Sequence, residues 1–447
     1  MSITKKFEKI FKTLLPAPFT IAVLLTLFTF VSALWITDPK SNQIHIVELL
    51  SYWEKGIWNA PLLVFAMQMM LMLVLGHTLA LSNPISKIIS KGVRYCTNTA
   101  NSAAIITFFT ILVSLFNWGL GLIFGAIFAR KAGEYASKKN IQLNYPLIGA
   151  AGYSGLMVWH GGISGSAPIK IAEKGHFLVD KIDVISQSET IFSTMNISIS
   201  IVLLITLPLL MYYLGKKNPG ETIILSSKKH EESSKTTEVH KLDQSVLLAW
   251  GFGGTIIFYA FYKAIIMPEF ITLSIITPNY INLVLLGLAI IMHKSFFAFL
   301  KAVDNAISGA SGILIQFPLY FGIMGIMNHS GMVNIMSNFF VSIANETTFP
   351  IFTFISAGIV NVFVPSGGGQ WAVQGPIIVD AATQLGVSIP KSVMALAYGD
   401  QLTNMLQPFW ALPLLGITGL KAKEILPYTL ILLVVGSIIF ISGLLIF

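Results

Sequence analysis

The amino-acid sequence predicts an all-α, polytopic membrane protein built from two inverted repeats, with two re-entrant hairpins and two broken transmembrane helices. Three observations carry this expectation. The chain has 447 residues, 54% of them hydrophobic and only 11% charged. An ordinary globular domain carries roughly 25% charged residues, so the polar shell of a soluble protein is missing. The apolar residues fall in runs long enough to cross a hydrocarbon core, which takes about 20 residues of helix. Four of these runs are interrupted at mid-length, and the interruptions recur in the same order in both halves.

Taken along the chain, four lysines (Lys5, Lys6, Lys9 and Lys12) precede the first run, 14–37. Val31-Ser32-Ala33 could pass as a cleavage site, but the run exceeds the apolar core of a signal peptide, so a retained first helix is expected. A second crossing follows at 57–81. The stretch 101–130 is broken by Asn117-Trp118-Gly119-Leu120-Gly121 and reads as a hairpin whose glycines turn the tip. Crossing 145–169 contains Trp159-His160-Gly161-Gly162-Ile163-Ser164-Gly165-Ser166-Ala167-Pro168, in which three glycines and a proline break the hydrogen-bond ladder. The run 189–214 closes a first repeat over 1–214.

Residues 215–244 are rich in Ser, Thr and Lys and read as a flexible cytoplasmic linker, followed by a connecting crossing at 245–267. That extra crossing inverts the second repeat, 268–447. It holds crossings at 275–293 and 303–327, where Asp304 suits a helix start, and an amphipathic surface segment at 328–345. Hairpin 348–386 follows, with its tip at Pro365-Ser366-Gly367-Gly368-Gly369-Gln370. A broken crossing at 391–416 and a last crossing at 427–447 complete it. Sliding the halves by 244 residues pairs Asn117 with Asn361 and Gly125 with Gly369. One further residue of slip pairs Ala150 with Ala395, Tyr153 with Tyr398 and Pro168 with Pro413.

Charge supports the hairpins. If both return to their own side, all 28 Lys and Arg fall on the N-terminal side except Lys40, Lys55, Lys170, Lys174, Lys181, Lys263 and Lys391. The positive-inside rule then sets the N-terminus in the cytoplasm. The net charge of +8 is therefore a topology signal, and no basic stripe with interleaved aromatics points to nucleic acid. The single Cys96 can form no intrachain disulfide and has no metal-ligand spacing around it.

Inverted repeats with interrupted helices are the architecture of secondary transporters, whose sites form near the midplane. Non-helical backbone at that depth must be buried in protein or line a water-filled cavity. The candidate solute contacts are Asn117 and Trp118 on the first hairpin, with His160, Gly161, Gly162, Ser164 and Ser166 in the first break. Ser366, Gly367, Gly368, Gly369 and Gln370 on the second hairpin join them, as do Thr403, Asn404 and Gln407 in the second break. Freed N–H groups at a half-helix N-terminus favour an anion. Asp400 lies inside an apolar crossing, at a cost of about 2.5–3.5 kcal/mol, and no Lys or Arg lies near it in sequence. Asp400 or His160 is the candidate for handling a coupling proton or Na⁺, with Asn361 and Asn404 as further ion contacts. No G-x-S-x-G elbow is present, which argues against serine hydrolase chemistry, and no cofactor is implied. The broken elements hold no Lys or Arg except Arg130 and Lys391 near their ends. A small monocarboxylate suits that inventory better than a multiply charged anion.

At these segments the chain resembles the bacterial short-chain fatty acid transporter family of the ion transporter superfamily. The resembling stretches are Asn117 to Gly121, Tyr145-Pro146 through Trp159-His160-Gly161-Gly162 to Pro168, Val364 to Trp371, and Tyr398-Gly399-Asp400 through Thr403-Asn404 to Pro413. The resemblance implies uptake of monocarboxylates such as butyrate or acetoacetate across the bacterial inner membrane. It also implies a scaffold and a transport domain that moves by an elevator-like step, often in a homodimer, with the lipid bilayer as surroundings. The hairpin tips and helix breaks would hold the solute and its coupling ion. One departure is Gln401-Leu402, where the family pattern has Ala and an aromatic, and it bears on acyl-chain preference. The rival readings are a transporter of another small organic anion such as a dicarboxylate, a cation antiporter, a channel, and a membrane-embedded enzyme.

Overall fold

The structure is a computed structural model that describes residues 18–40, 42–222, 240–268, 272–363, 366–406 and 410–447. The lysines at 5–12, most of the expected linker and Gln407 lie outside the described residues. The fold is helical, and among the described residues its only β structure is one pair of two-residue strands.

In the first half, α1 (Pro18–Ile36) is followed by the amphipathic α2 (His45–Ile57), the long apolar α3 (Ala60–Ala80) and the amphipathic α4 (Asn83–Val93). A helical hairpin follows, α5 (Thr99–Phe116) and α6 (Trp118–Lys139). After strand β1 (Gln142–Leu143) comes α7 (Tyr145–Tyr153), which tightens into 3₁₀ turns over 154–161. It resumes only as the short α8 (Ser166–Lys170), so the glycine-rich stretch does break the helix. The non-helical segment 171–193 leads to α9 (Thr194–Lys217).

Strand β2 (Glu221–Thr222) pairs antiparallel with β1. Then α10 (Val246–Phe261) ends in a π-helical turn to Ile266. The second half repeats the order of helix types: α11 (Pro278–His293), amphipathic α12 (Phe296–Ile307), α13 (Ser311–Ser330) and amphipathic α14 (Met332–Ile343). The hairpin α15 (Phe349–Phe363) and α16 (Gly367–Leu385) is followed by α17 (Ile389–Thr403), a break, the short α18 (Leu412–Thr418) and α19 (Ala422–Ile446).

Among the described residues six helices are long and apolar enough to cross a membrane: α3, α5, α9, α10 with its π-helical turn, α13 and α19. α10 turns Leu247, Trp250, Phe252, Phe258 and Phe261 outward, as a helix facing lipid does. The cap residues explain the starts. Asn59, Asn98, Asn117, Asn144, Ser193, Ser366 and Ser388 each accept the N–H three residues on, satisfying a donor that the first turn leaves open.

Contacts sort the loops into two ends. At one end Lys131 Nζ donates to Ser86 Oγ at 2.7 Å and Ser90 Oγ at 3.0 Å, and Arg130 Nη1 to Thr418 O at 3.3 Å. The Phe297 N–H donates to Asp243 O at 3.0 Å there, and His293 lies 2.8 Å from Thr78 O. The basic stretches 87–94, 130–139, 294–301 and 421–423 thus share one end. At the opposite end Lys40 Nζ donates to His329 O at 2.8 Å, and Gln187 Nε2 to Ile276 O at 3.3 Å.

Several expectations need correcting. The segment 215–244 does not start as a free linker, because α9 runs to Lys217 and Glu221–Thr222 pair with β1. Asp304 does not open a crossing. It is exposed in the last turn of α12, and the long helix starts at Ser311. Asn117 and Asn361 do not hold equivalent places: Asn117 caps the turn between α5 and α6, whereas Asn361 lies within α15. The pairs offset by one more residue fare better, since Pro168 and Pro413 both lie in the short helix beyond a break. Finally, the glycines after Asn117 do not make the turn. Asn117 itself is extended (φ −150°), and Gly119 and Gly121 are helical. They permit close packing: a Cβ on Gly119 would lie 3.0 Å from Leu73 O, and one on Gly121 would strike the Ser114 side chain.

Candidate functional site

The two hairpin tips and the two helix breaks meet in the interior. His160, in a 3₁₀ turn of the first break, is fully buried, and its Nδ1 lies 2.6 Å from Asp400 Oδ2 on α17. Its Nε2 accepts the Ala167 N–H at 3.0 Å, at the start of α8. A nitrogen that accepts a backbone N–H carries no proton, so this network assigns the neutral tautomer with Nδ1–H donated to Asp400. Gln401, next in the chain, accepts the N–H groups of His160 at 2.9 Å and Gly161 at 3.1 Å through one Oε1. The side chains of α17 thus take up the backbone donors that the first break releases.

Other polar groups tie the breaks and hairpins together. The Trp118 N–H donates to Ser164 Oγ at 3.0 Å, and the Ile163 N–H to Leu115 O at 2.7 Å, fixing the first hairpin tip on the first break. Asn196 Nδ2 donates to Gly161 O at 2.8 Å, and Tyr398 donates to Asn196 Oδ1 at 2.9 Å. Asn361 Nδ2 donates to Asp400 O at 2.7 Å, Thr403 Oγ1 at 2.9 Å and Asn404 Oδ1 at 3.2 Å, so the expected ion-contact residues do form one cluster.

The second hairpin sits directly on the pair. A Cβ added to Gly367 would lie 2.7 Å from His160 Cε1 and Trp159 Cη2, and 3.0 Å from Asp400 Oδ2. Only a glycine seats the tip there without a shift. Beside it Trp118, Leu156, Trp159, Ser166, Ser366, Gly367, Gly368 and Trp410 line a cavity of about 20 Å³, with Met69, Ile313 and Phe317 on its apolar wall. That is room for one or two water molecules. Trp118 packs against Trp159 at 5.6 Å and edge-on to Trp410 at 5.2 Å, and Trp159 stacks on His160 at 4.5 Å between ring centroids.

Unsatisfied groups gather here. Among the described residues the indole N–H of Trp118, the indole N–H of Trp159 and Asp400 Oδ1 are buried with no hydrogen-bond partner. Each such group costs about 1–3 kcal/mol when left unpaired.

Of the residues expected from sequence, Trp118, Ser166, Ser366, Gly367 and Gly368 reach the cavity, while His160, Gly161 and Asp400 lie behind it. Asn117 and Ser164 serve as cap and tie rather than as cavity walls, and Gly162 packs on the Leu115 backbone. Gln370 turns inward, donating to Ala357 O at 2.8 Å and Gln374 Oε1 at 2.7 Å, and Gly369 packs on Tyr320. Trp159, Gln401 and Asn196 were not among the expected contacts. Trp159 adjoins His160 in sequence, but Asn196 carried no signal beyond its place near a helix start.

The cavity has unequal access. Toward the end bearing α12, a space of about 370 Å³ lined by Ser308, Ser311, Gln316 and Leu412 shares Ile313, Phe317, Ser366 and Trp410 with it. Toward the other end Phe65 closes it. That ring packs on Phe317 at 6.3 Å and lies 3.0 Å from a Cβ placed on Gly368.

Comparison with known proteins agrees with this architecture. The sequence pattern of the short chain fatty acid transporter family matches residues 1–447. The chain belongs to the short-chain fatty acid transporter family. A relative from Escherichia coli (strain K12), named for short-chain fatty acid transport, is 37% identical over 442 residues, covering 97% of this chain and 96% of its own. One from Haemophilus influenzae (strain ATCC 51907 / DSM 11121 / KW20 / Rd), named in the same way, is 37% identical over 445 residues, covering 96% of each chain. Among solved structures, the Alcanivorax borkumensis YdaH transporter, described as having an unusual topology, superposes with a TM-score of 0.62 at 13% identity, over 96% of this chain and 98% of that one. Neisseria gonorrhoeae MtrF, described with a class of antimetabolite efflux pumps, gives a TM-score of 0.61 at 13% identity, over 100% and 97%. These two establish the fold. Family and apolar helices together make the chain a multi-pass membrane protein of a transporter family.

Proposed function

We propose that this protein is a secondary active transporter that carries short-chain fatty acids, of the butyrate and acetoacetate kind, across the bacterial inner membrane. Its N-terminus lies in the cytoplasm. Residues 1–214 and 268–447 act as inverted repeats joined by the 215–244 segment and the 245–267 crossing, and the hairpins are re-entrant. The hairpins and broken helices move against the remaining helices in an elevator-type step.

The observation that carries this reading is a set of unpartnered buried groups: the indole donors of Trp118 and Trp159, two residues that line one small cavity, and the acceptor Asp400 Oδ1 behind it. A carboxylate takes the two indole donors together with the hydroxyls of Ser166 and Ser366, and its short tail lies on Met69, Ile313 and Phe317. The cavity of about 20 Å³ is too small for butyrate, so loading requires the tips to part, as alternating access demands. With the N-terminus in the cytoplasm, the open space beside Ser308 and Gln316 supports an inward-facing reading.

Asp400 takes the coupling proton. The His160 Nε2 is committed to the Ala167 N–H, whereas Asp400 Oδ1 is free. Sodium is the alternative ion, held by Asp400, Thr403, Asn361 and Asn404 after the Asn361 amide turns its oxygen inward. The test is uptake of labelled butyrate into proteoliposomes under an imposed proton or sodium gradient. Proton-driven accumulation is expected, and no gradient-dependent uptake above empty liposomes would overturn the reading. Competition by unlabelled dicarboxylates checks the other solute class.

A further inference from the structure

A second, larger cavity lies at the opposite end from α12, on the far side of Phe65. It encloses about 820 Å³ between α3, the start of segment 171–193, the end of the α10 π-turn and the lead into α11. Among the described residues three lysines line it, Lys170, Lys174 and Lys263, against a single acid, Glu173. The other described wall residues are uncharged, so the described lining is net positive.

Lys170 is its innermost cation and is only 2% exposed. Its ammonium lies 2.6 Å from Glu173 Oε2 and 3.2 Å from Gln68 Oε1, using two of its three N–H donors. Gln68 in turn donates to Glu173 Oε1 at 2.7 Å and Asn279 Oδ1 at 3.0 Å. The same ammonium stands 5.3 Å from the centre of the Phe65 ring, whose neighbours are Phe317 and Gly368 of the inner cavity. One aromatic ring therefore separates a cationic antechamber from the hairpin-tip site. Lys174 and Lys263 are exposed at its mouth.

We propose that this antechamber is a docking site for the carboxylate of a small monocarboxylate. Lys263 and Lys174 draw the anion in, and the third donor of Lys170 holds it against Phe65 before the inner site opens. The proposal deepens the transport reading above and rests on it for the identity of the solute. A cleft lined by one sign of charge concentrates its counter-ion and raises the rate of entry.

Two measurements test it. The first needs no transport. Ala264, which lines the antechamber, is changed to Cys in a Cys96→Ser background. Cys96 itself is buried, and burial pushes its thiol up to about 11. An anionic methanethiosulfonate reagent should modify Ala264→Cys about fivefold or more faster than a cationic one. Lys174→Gln with Lys263→Gln should abolish that preference, and millimolar butyrate should slow the reaction. Equal rates with both reagents, or no effect of butyrate, would overturn the site.

The second measurement is butyrate uptake. Lys174→Gln with Lys263→Gln should raise the apparent KM about threefold to tenfold for entry from this face while leaving maximal rate and efflux unchanged. Lys174→Arg with Lys263→Arg should restore the KM. An unchanged KM would remove both lysines from entry. If the thiol assay shows anion preference and butyrate protection but the wild-type protein moves no butyrate, the antechamber stands and the transport reading falls.

Discussion

At the scale of single residues, Asp400 and His160 solve each other's problem. A carboxylate inside an apolar helix is costly, and an imidazole in an unwound segment needs partners for both nitrogens. Their contact at 2.6 Å, with the Ala167 N–H on the far nitrogen, meets most of those needs and leaves Asp400 Oδ1 open. Gln401 completes the arrangement by accepting two backbone donors. Gln401→Ala should orphan both, at about 1–3 kcal/mol each, and lower the melting temperature of the detergent-solubilised protein by several degrees. Gln401→Glu, which keeps the acceptor, should lose less. Equal melting temperatures for Gln401→Ala and wild type would contradict this. Asp400 and His160 were each legible in the sequence as isolated oddities. Their pairing was not, because 240 residues separate them and only the folded chain brings α17 onto the first break. Gln401 stood out only as a departure bearing on acyl-chain preference, whereas its oxygen is spent on the backbone.

At the scale of elements, interruptions in apolar runs were the readable signal. Both hairpins and both broken helices fall where Asn117, His160 to Pro168, Ser366 to Gln370, and Asp400 onward cut the hydropathy. The use of the glycines was less legible, because a composition that permits a turn also permits close packing, and only neighbours decide. At Gly367 the neighbours are Trp159, His160 and Asp400. Gly367→Ala should hold the second tip off the pair and cut transport about tenfold or more, with membrane expression retained. Gly416→Ala is the control: it lies in α18 with nothing within 4 Å of an added Cβ and should leave transport unchanged. Equal activity of the two variants would show that close seating of the tip is unimportant. The amphipathic helices α2, α4 and α12 are not legible in the hydropathy, being short and interrupted by polar residues.

At the scale of the whole molecule, the described basic stretches share one end, as the charge pattern along the chain suggested, and the two access routes differ. Ser308 and Gln316 border open space that shares Phe317, Ser366 and Trp410 with the wall of the inner cavity, whereas Phe65, Gln68 and Lys170 close the opposite route. A Gln316→Cys variant should therefore react with an impermeant thiol reagent in inside-out vesicles and resist it in right-side-out ones. Reaction from the outer face alone would mean that the resting state faces the other way.

In the proposed transport cycle the His160–Asp400 pair, closed over by the second hairpin, couples a proton to carboxylate movement. Its most direct test compares Asp400→Asn with wild type in proteoliposomes, measuring labelled butyrate in two modes. Exchange between equal butyrate pools should persist in Asp400→Asn, because the carboxylate's donors are intact. Accumulation driven by an imposed proton gradient should fall about tenfold or more. Undiminished accumulation by Asp400→Asn would remove Asp400 from proton coupling.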